Sequence, residues 1–209
     1  MIPRIIEYNN KKLVINQNSE YKYAGEVWDA ALVLIYFLIN KKSEIVINLK
    51  DKIILELGAG TGILGLTTGL LEAKKVVLTD KGGCTTLIKE NYELNKNLFN
   101  DNFECEIKEL DWLIEEDKKN IDDKFDYIIG SDLVWNPKLR EGLANTIKYF
   151  LNSKENTQAI LSFQIRDKEI QNFFNLFQKD KYIIEKLPDN LYDENFFSED
   201  IIIVRIKKK

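Results

Sequence analysis

The chain has 209 residues, of which 44% are hydrophobic and 31% are charged, and its formal net charge at pH 7 is −4. This length suits one α/β domain and is too short for two full domains. The chain has no histidine and only two cysteines, Cys84 and Cys105, which excludes histidine-dependent acid–base catalysis and the usual zinc, haem and cysteine–histidine sites. The acidic balance disfavours a surface that coats nucleic acid.

Neither a membrane span nor a secretory leader is evident. The longest apolar stretch, ALVLIYFLI at 31–39, is about half of the ~20 residues that a span needs. The first ten residues lack a basic-then-apolar leader with a small-residue cleavage site. We therefore expect a buried helix at 31–39, no membrane partner, and a cytoplasmic or nuclear location.

Strand-like and helix-like segments alternate along the chain. IIEYNNKKLVI (5–15) contains two β-prone runs around Asn9-Asn10, which is a hairpin signal. A helix is predicted over 27–40, where apolar residues fall on more than one face. The predicted elements after it are the strands KIILEL (52–57), KVVLTD (75–80), FECEIKELDW (103–112), FDYIIGSDLVW (125–135), AILSFQI (159–165), YIIEKL (182–187) and DIIIVRI (200–206), and helices at about 62–73, 85–97, 138–151 and 169–177.

This alternation predicts an α/β fold with a doubly wound, mostly parallel sheet. The last two strands are close enough in sequence to be antiparallel. Ligands of such sheets bind at the carboxyl ends of the strands. No internal repeat or proline-rich linker divides the chain, so we expect one domain over 1–209, with a hairpin and helix in 1–50 and the sheet core in 51–209.

A glycine-rich turn follows the strand predicted at 52–57. The residues GTGILG (60–65) match the dinucleotide fingerprint G-x-G-x-x-G, and Gly58 and an acid, Glu56, precede them. In a dehydrogenase the pyrophosphate lies against the helix N-terminus, where an acid would repel it. S-adenosylmethionine carries an ammonium and a sulfonium and no phosphate, so Glu56 favours this ligand over NAD.

Asp80 ends the next predicted strand, 20 residues after Gly60. A carboxylate there can accept hydrogen bonds from both ribose hydroxyls, which suits either cofactor and does not separate them. A glycine turn without any ligand is the remaining alternative. We disfavour it because several glycines in one turn cost conformational entropy unless the backbone must approach something closely.

Four segments of the chain, which follow one another in the order of the family's motifs, resemble a known family. ELGAGTG (56–62) is similar to the first motif of the class I, seven-strand S-adenosylmethionine-dependent methyltransferases. GEVWDAALVL (25–34), KELDW (108–112) and GSDLVW (130–135) narrow the resemblance to the family 16 protein-lysine methyltransferases, a group with members that act on Hsp70, valosin-containing protein and elongation factors. The resemblance covers about residues 20–151 and implies a seven-stranded, Rossmann-like sheet with an N-terminal hairpin and helix.

The resemblance also implies a cofactor site. Trp28 would close over the methionine end, Asp80 would hold the ribose, and Ser131 would line the floor. The cofactor would be S-adenosylmethionine, its product would be S-adenosylhomocysteine, and no metal would be needed. The substrate would be a lysine-bearing chaperone, AAA ATPase or elongation factor. The enzyme would be a monomer and would not bind nucleic acid. Counting Glu56, the candidate cofactor residues are Trp28, Glu56, Gly58, Ala59, Gly60, Asp80, Asp111, Trp112 and Ser131.

Three of these residues also have a purely structural interpretation. Trp28, on an apolar helix, could be a core aromatic residue. Trp112 could be one as well, although its place just after a strand end favours the cofactor side. Asp111 could simply cap a turn.

Asp132-Leu133-Val134-Trp135 falls where the family carries an acid-x-x-aromatic motif, which usually ends in tyrosine or phenylalanine. Trp135 keeps a flat ring for the rim of a lysine channel but offers no hydroxyl, and it could instead be a strand-end core residue. Methyl transfer from a sulfonium is an in-line displacement that depends mostly on positioning and needs a neutral amine. We expect Asp132 to orient this amine and to take its proton through water.

Other features of the sequence leave alternatives open. The acidic stretches EEDKKNIDD (115–123) and PDNLYDENFFSED (188–200) could attract a lysine-bearing surface, with Phe196 and Phe197 adding apolar contact, but such runs are more often solvated loops. Two other functions remain: a methyltransferase of the same fold that acts on a small molecule or another protein side chain, and a catalytically silent S-adenosylmethionine-fold binding module.

Overall fold

The computed structural model describes residues 1–166, 170–178 and 181–209. All strands predicted from the sequence are present; the helix predicted over 169–177 has its first residue, 169, outside the described residues. The strands are β1 (Arg4–Tyr8), β2 (Lys11–Ile15), β3 (Ile53–Leu57), β4 (Lys75–Asp80), β5 (Glu104–Glu109), β6 (Tyr127–Ser131), β7 (Gln158–Gln164), β8 (Tyr182–Lys186) and β9 (Ile201–Lys208). The α-helices are α1 (Asp29–Ile39), α2 (Ile63–Leu70), α3 (Thr85–Asn95), α4 (Glu115–Lys119), α5 (Arg140–Leu151) and α6 (Ile170–Gln178).

Strands β3 to β9 form one seven-stranded sheet in the order β5-β4-β3-β6-β7-β9-β8. The pairs from β5 to β7 are parallel, and β9 is antiparallel to both β7 and β8. The predicted mostly parallel sheet with an antiparallel end is therefore confirmed. The strand order reverses between the neighbours β3 and β6, which is where ligands of doubly wound sheets bind.

Hydrophobic cores cover both faces of this sheet. Helices α1 and α2 pack on one face, and α5 and α6 pack on the other. Successive residues of β3 point to opposite faces, so Ile54 belongs to the first core and Leu55 and Leu57 to the second. The helices that follow β3 and β6 thus leave the sheet on opposite sides, and a crevice opens between them.

The N-terminal hairpin docks on α3 through two buried asparagines. Its turn has positive φ at Asn9 (47°) and Asn10 (63°), as tight two-residue hairpin turns require. The Asn95 side chain pairs with the backbone N–H and C=O of Val14 at 2.9 and 2.7 Å. Asn91 pairs with Asn16 at 2.9 and 3.0 Å, and its Nδ2 also donates to the carbonyl of Thr61 at 2.9 Å. These bonds hold the N-terminal segment next to the glycine turn.

Helix α1 is the buried helix predicted from the apolar stretch 31–39. Leu34, Ile35 and Phe37 are fully buried in it. Among the described residues, no helix combines the length and apolar character needed to cross a membrane. The same residues contain no cluster of three or more acidic, cysteine or histidine side chains that could hold a metal ion.

Candidate active site

A cavity of about 670 Å³ opens at the carboxyl ends of the parallel strands, where the strand order reverses. Every candidate residue from the sequence lines this cavity, namely Trp28, Glu56, Gly58, Ala59, Gly60, Asp80, Asp111, Trp112, Ser131, Asp132 and Trp135. Its wall also includes Tyr23, Cys84 and Arg166, which the sequence did not single out. The volume lies within the range of small-molecule and cofactor sites.

The turn between β3 and α2 exposes its backbone to the cavity. Gly58, Gly60 and Gly62 have φ angles of 59°, 55° and 80°, a region that residues with side chains rarely adopt. A Cβ atom at Gly58 would lie 2.6 Å from Leu133 Cδ2 and 3.3 Å from the ring of Trp112. A side chain at position 58 would therefore collide with Leu133, and glycine leaves the backbone of Gly58 and Gly60, here called the glycine cradle, open to the cavity.

Glu56 lines the cavity, but its carboxyl group is also engaged beneath α2. The residue is 2% exposed, and its Oε2 accepts the N–H of Gly65 at 2.8 Å. Burial raises the pKa of Glu56 well above its usual range, the charge of Asp80 adds to this, and the bond from Gly65 opposes it. Because burial favours the neutral acid, Glu56 repels phosphate less strongly than the sequence suggested, and other residues must carry the cofactor assignment.

We expect Glu56→Gln to remove part of the pH dependence of stability. The folded protein holds the Glu56 proton more tightly than the unfolded chain, so stability is present below the unfolded pKa of about 4.3 and is lost as pH rises through the raised pKa. Relative to the glutamine variant, the wild type should lose at most about 1.4 kcal/mol of unfolding free energy per pH unit. Denaturant unfolding at a series of pH values measures the unfolding free energy of both proteins. Parallel plots of this free energy against pH for the wild type and Glu56→Gln would contradict the prediction. Glu90→Gln, at an exposed position, is the control.

Asp80 is oriented by two backbone groups at the end of β4. Its Oδ2 accepts the N–H of Gly60 and its Oδ1 accepts the N–H of Lys81, both at 2.8 Å. Burial raises the pKa of Asp80, while these two hydrogen bonds and the thiol of Cys84 oppose the increase. Each carboxylate oxygen keeps a further lone pair for a hydroxyl group. Asp80 thus has the placement predicted for a ribose acceptor.

Asp111 and Trp112 lie after β5 on another side of the cavity. Oδ1 of Asp111 accepts the N–H of Leu113 at 2.9 Å, so Asp111 does cap a turn while also lining the cavity. Trp112 is half-buried, and its ring packs against Gly58. The ring therefore forms a flat wall beside the glycine turn, which suits an aromatic base.

Three exposed aromatic rings frame the mouth of the cavity. Tyr23, Trp28 and Trp135 are 60%, 36% and 49% exposed, so the core interpretations of the two tryptophans are wrong. The Tyr23 ring centroid lies 4.8 Å from that of Trp135 and 6.3 Å from that of Trp28. Trp28 precedes the first turn of α1, and its Nε1 donates to the carbonyl of Tyr23 at 2.9 Å. Tyr23 was missed because it belongs to a short 3-10 helical segment, Ser19–Gly25, which is kinked at Lys22 and has no periodic apolar pattern.

Asp132 and Arg166 form an ion pair at the ends of β6 and β7. Arg166 donates through both Nη atoms to the two carboxylate oxygens of Asp132, at 2.8 and 2.5 Å. The Asp132 side chain is 8% exposed. The predicted amine-orienting acid therefore lies in the cavity with both oxygens already engaged by an arginine. The only sequence signal for Arg166 was its place directly after the strand predicted at 159–165.

The acidic stretches contact other parts of the protein. In 115–123, Asp123 pairs with Lys75 of β4, and Asp117 accepts the N–H of Asp111 at 2.8 Å, whereas Glu115 and Glu116 pair with Lys118 and Lys119 of the same stretch. In 188–200, Phe196 stacks on Tyr36 of α1 with ring centroids 3.4 Å apart. The contacts to other elements favour a structural role for Asp117, Asp123 and Phe196 over the attraction of a substrate surface, whereas Glu115, Glu116 and Phe197 are exposed.

Comparisons with known proteins agree on one family. The model of a family described as lysine methyltransferase matches residues 7–180. Protein N-lysine methyltransferase METTL21A of Xenopus tropicalis is 28% identical over 192 residues, which cover 87% of this chain and 80% of that protein. EEF1A lysine methyltransferase 3 of Xenopus tropicalis is 32% identical over 145 residues, which cover 69% of this chain and 59% of that protein.

The structural comparison supports the fold. The crystal structure of ribosomal protein L11 methylase from Lactobacillus delbrueckii subsp. bulgaricus superposes with a TM-score of 0.58 at 22% identity, covering 86% of this chain and 77% of that one. The chain spans 53% to 80% of the length of the first curated relatives that it matches. The family match over residues 7–180 identifies the chain as a member of the lysine methyltransferase family.

Proposed function

We propose that this chain transfers a methyl group from S-adenosylmethionine to the side-chain amine of a lysine in a protein. The observation that carries the proposal is the cavity, which joins a glycine cradle and a ribose-type acid to an exposed aromatic mouth. Relatives that are named protein-lysine methyltransferases, one of them for EEF1A, support a protein lysine as acceptor. We further propose a monomeric enzyme of the cytoplasm or nucleus, with a chaperone, AAA ATPase or elongation factor as substrate.

The cofactor end of the cavity fits S-adenosylmethionine. Gly58 and Gly60 leave the backbone open, Asp80 offers oriented acceptors for the ribose hydroxyls, and the Trp112 ring offers a flat wall for the adenine. When bound, this cofactor supplies the methyl group: the amine lone pair forms the new N–C bond, the electrons of the broken C–S bond stay on sulfur, and the amine proton passes to solvent. No metal is needed for this displacement.

The acceptor end of the cavity fits a lysine side chain. Tyr23 and Trp135 present ring faces that can pack along the four methylene groups and attract the ammonium as it enters. Withdrawal of the nitrogen from water then lowers the amine pKa from about 10.4, which favours the neutral nucleophile. Trp135 stands where the family motif usually carries tyrosine or phenylalanine, and its ring offers no hydroxyl.

Ligand-dependent melting tests the cofactor. We expect S-adenosylmethionine and S-adenosylhomocysteine, each at about 100 times its dissociation constant, to stabilise the protein by about 2.7 kcal/mol and to raise Tm by about 5–10 °C. NAD and NADP should leave Tm unchanged because the Gly60 N–H already donates to the carboxylate of Asp80, whose charge would repel a pyrophosphate placed against this turn. Equal stabilisation by NAD would overturn the proposal.

Transfer is tested with methyl-labelled S-adenosylmethionine and a cell lysate. Labelled protein bands that depend on the added enzyme would support the proposal, and mass spectrometry would then locate the modified lysine. Label found only in small molecules, or on other side chains, would instead support a methyltransferase with a different acceptor. Cofactor binding without any transfer would support a silent binding module. A reaction without the enzyme is the control.

A further inference from the structure

The acceptor end of the cavity contains a fixed cation beside its acid. Arg166 contacts both oxygens of Asp132 through two parallel hydrogen bonds, of 2.8 and 2.5 Å. The Asp132 side chain is 8% exposed and the Arg166 side chain 42%. Such a two-point contact between guanidinium and carboxylate fixes the orientation of the acid as well as offsetting its charge.

The backbone holds this pair at the end of the sheet. Asp132 has φ = 55°, which residues with side chains adopt infrequently and which concentrates at functional sites. Its N–H donates to the carbonyl of Ser162 at 2.8 Å. Oε1 of Gln164, the last residue of β7, accepts from Arg166 Nη2 at 3.0 Å. The carboxylate is thus directed from β6 and the guanidinium from β7.

An uncompensated carboxylate would oppose the proposed reaction. A negative charge near a lysine amine favours the ammonium and raises its pKa, whereas the nucleophile must be neutral. Arginine keeps its positive charge at any working pH. Paired with Arg166, Asp132 offers a directed acceptor oxygen at almost no net charge.

We propose that Arg166 is a positioning residue, which neutralises Asp132 so that the carboxylate orients the incoming lysine amine without holding it in the protonated form. The inference rests on the proposed lysine methylation. Together, Asp132 and Arg166 would orient the amine while adding little net charge, which neither residue could do alone.

Other charged groups of the cavity belong to the segment before α1 and to the ends of β3, β4 and β5. Among the described residues, Arg166 is the cation that pairs with Asp132, and on α5 Arg140 donates to the carbonyl of Val134 at 3.0 Å. Residues 167–169 lie outside the described residues. Substitutions at 132 and 166 leave all these groups in place, so the electrostatic effect of these groups is the same in every variant. The cavity groups are Glu20, Lys22, Glu26, Glu56, Asp80, Lys81 and Asp111.

A charge cycle tests the proposal by binding alone. The variants are Arg166→Gln, Asp132→Asn and the double variant, and calorimetry gives the dissociation constants of S-adenosylmethionine, which carries a sulfonium, and of S-adenosylhomocysteine, which does not. Arg166→Gln leaves the carboxylate uncompensated and should favour S-adenosylmethionine by about fivefold relative to the wild-type ratio. Asp132→Asn leaves the guanidinium uncompensated and should shift the ratio in the opposite direction. The double variant should return to about the wild-type ratio.

The pH dependence of single-turnover methylation of the labelled lysate protein gives the second readout. The acidic limb, where the methylation rate falls because the lysine amine is protonated, should move to higher pH by about one unit in Arg166→Gln and to lower pH in Asp132→Asn. In the double variant it should return to about its wild-type position. Arg166→Lys keeps the charge without the two-point contact, so its limb should stay in place while the rate falls. If Arg166→Gln does not fold, Arg166→Lys still tests the proposal, because its acidic limb should stay in place while that of Asp132→Asn moves.

The outcomes separate this inference from the proposed function. The proposed role of Arg166 is wrong if every folded variant keeps the wild-type ratio of the two dissociation constants and the wild-type acidic limb. It is also wrong if Arg166→Lys shifts its acidic limb as Arg166→Gln does. Neither result contradicts the proposed lysine methylation. If the wild type neither binds S-adenosylmethionine nor labels a protein, the proposed function itself fails.

Discussion

We expect Asp80→Ala to weaken the binding of S-adenosylmethionine and of S-adenosylhomocysteine by about 10- to 150-fold, which corresponds to about 1.5–3 kcal/mol. The substitution removes a charged acceptor that lies at the end of β4 and is oriented by the N–H groups of Gly60 and Lys81. Both ligands carry the same ribose, so both should lose affinity alike. Calorimetric titration measures the two dissociation constants.

Two controls distinguish ribose binding from a disturbed turn. Asp80→Asn keeps an oxygen that can accept the Gly60 N–H, so it should preserve the turn while losing the charge and most of the affinity. Asp122→Ala removes an exposed acid outside the cavity and should bind as the wild type does. A folded Asp80→Ala protein with wild-type affinity would show that another residue holds the ribose.

The fold was predictable wherever local chemistry determines it. Asn9-Asn10 specified the hairpin because asparagine tolerates the positive φ angles of its turn. The alternation of strands and helices specified the parallel part of the sheet. The insertion of β9 between β7 and β8 was not predictable, because a strand that is apolar on both faces fits a central or an edge position and only the assembled sheet distinguishes the two.

The site was predictable wherever a residue follows a strand directly. Asp80 and Asp111 lie in the cavity because the carboxyl ends of parallel strands meet at one edge. Side-chain direction was not predictable: Glu56 is engaged beneath α2, and Arg166 turns back onto Asp132. Both contacts join residues on different elements, so no spacing along the chain indicates them. The family assignment is confirmed by the family match, whereas the roles of individual residues stay predictions.

Asp132→Asn should separate methyl transfer from cofactor binding. Asparagine has nearly the same shape and tolerates the φ of 55° at this position, but it lacks the charge and one acceptor oxygen. If Asp132 orients the amine, the single-turnover rate at saturating cofactor should fall by on the order of 100-fold, the loss expected from a misplaced reactant. The affinity for S-adenosylhomocysteine should stay the same, since this product carries no sulfonium that could sense the lost charge.

The kinetic pattern identifies the step at which Asp132 acts. An interaction made mainly in the transition state lowers kcat and kcat/KM together, whereas a contact that only binds the substrate acts chiefly through KM. Asp122→Asn, an exposed position outside the cavity, should leave both parameters unchanged. Wild-type transfer by a folded Asp132→Asn protein would rule out the orienting role. The carboxylate would then serve to hold Arg166 and the end of β7, because its oxygens accept hydrogen bonds from Arg166 and from the N–H of Gln164.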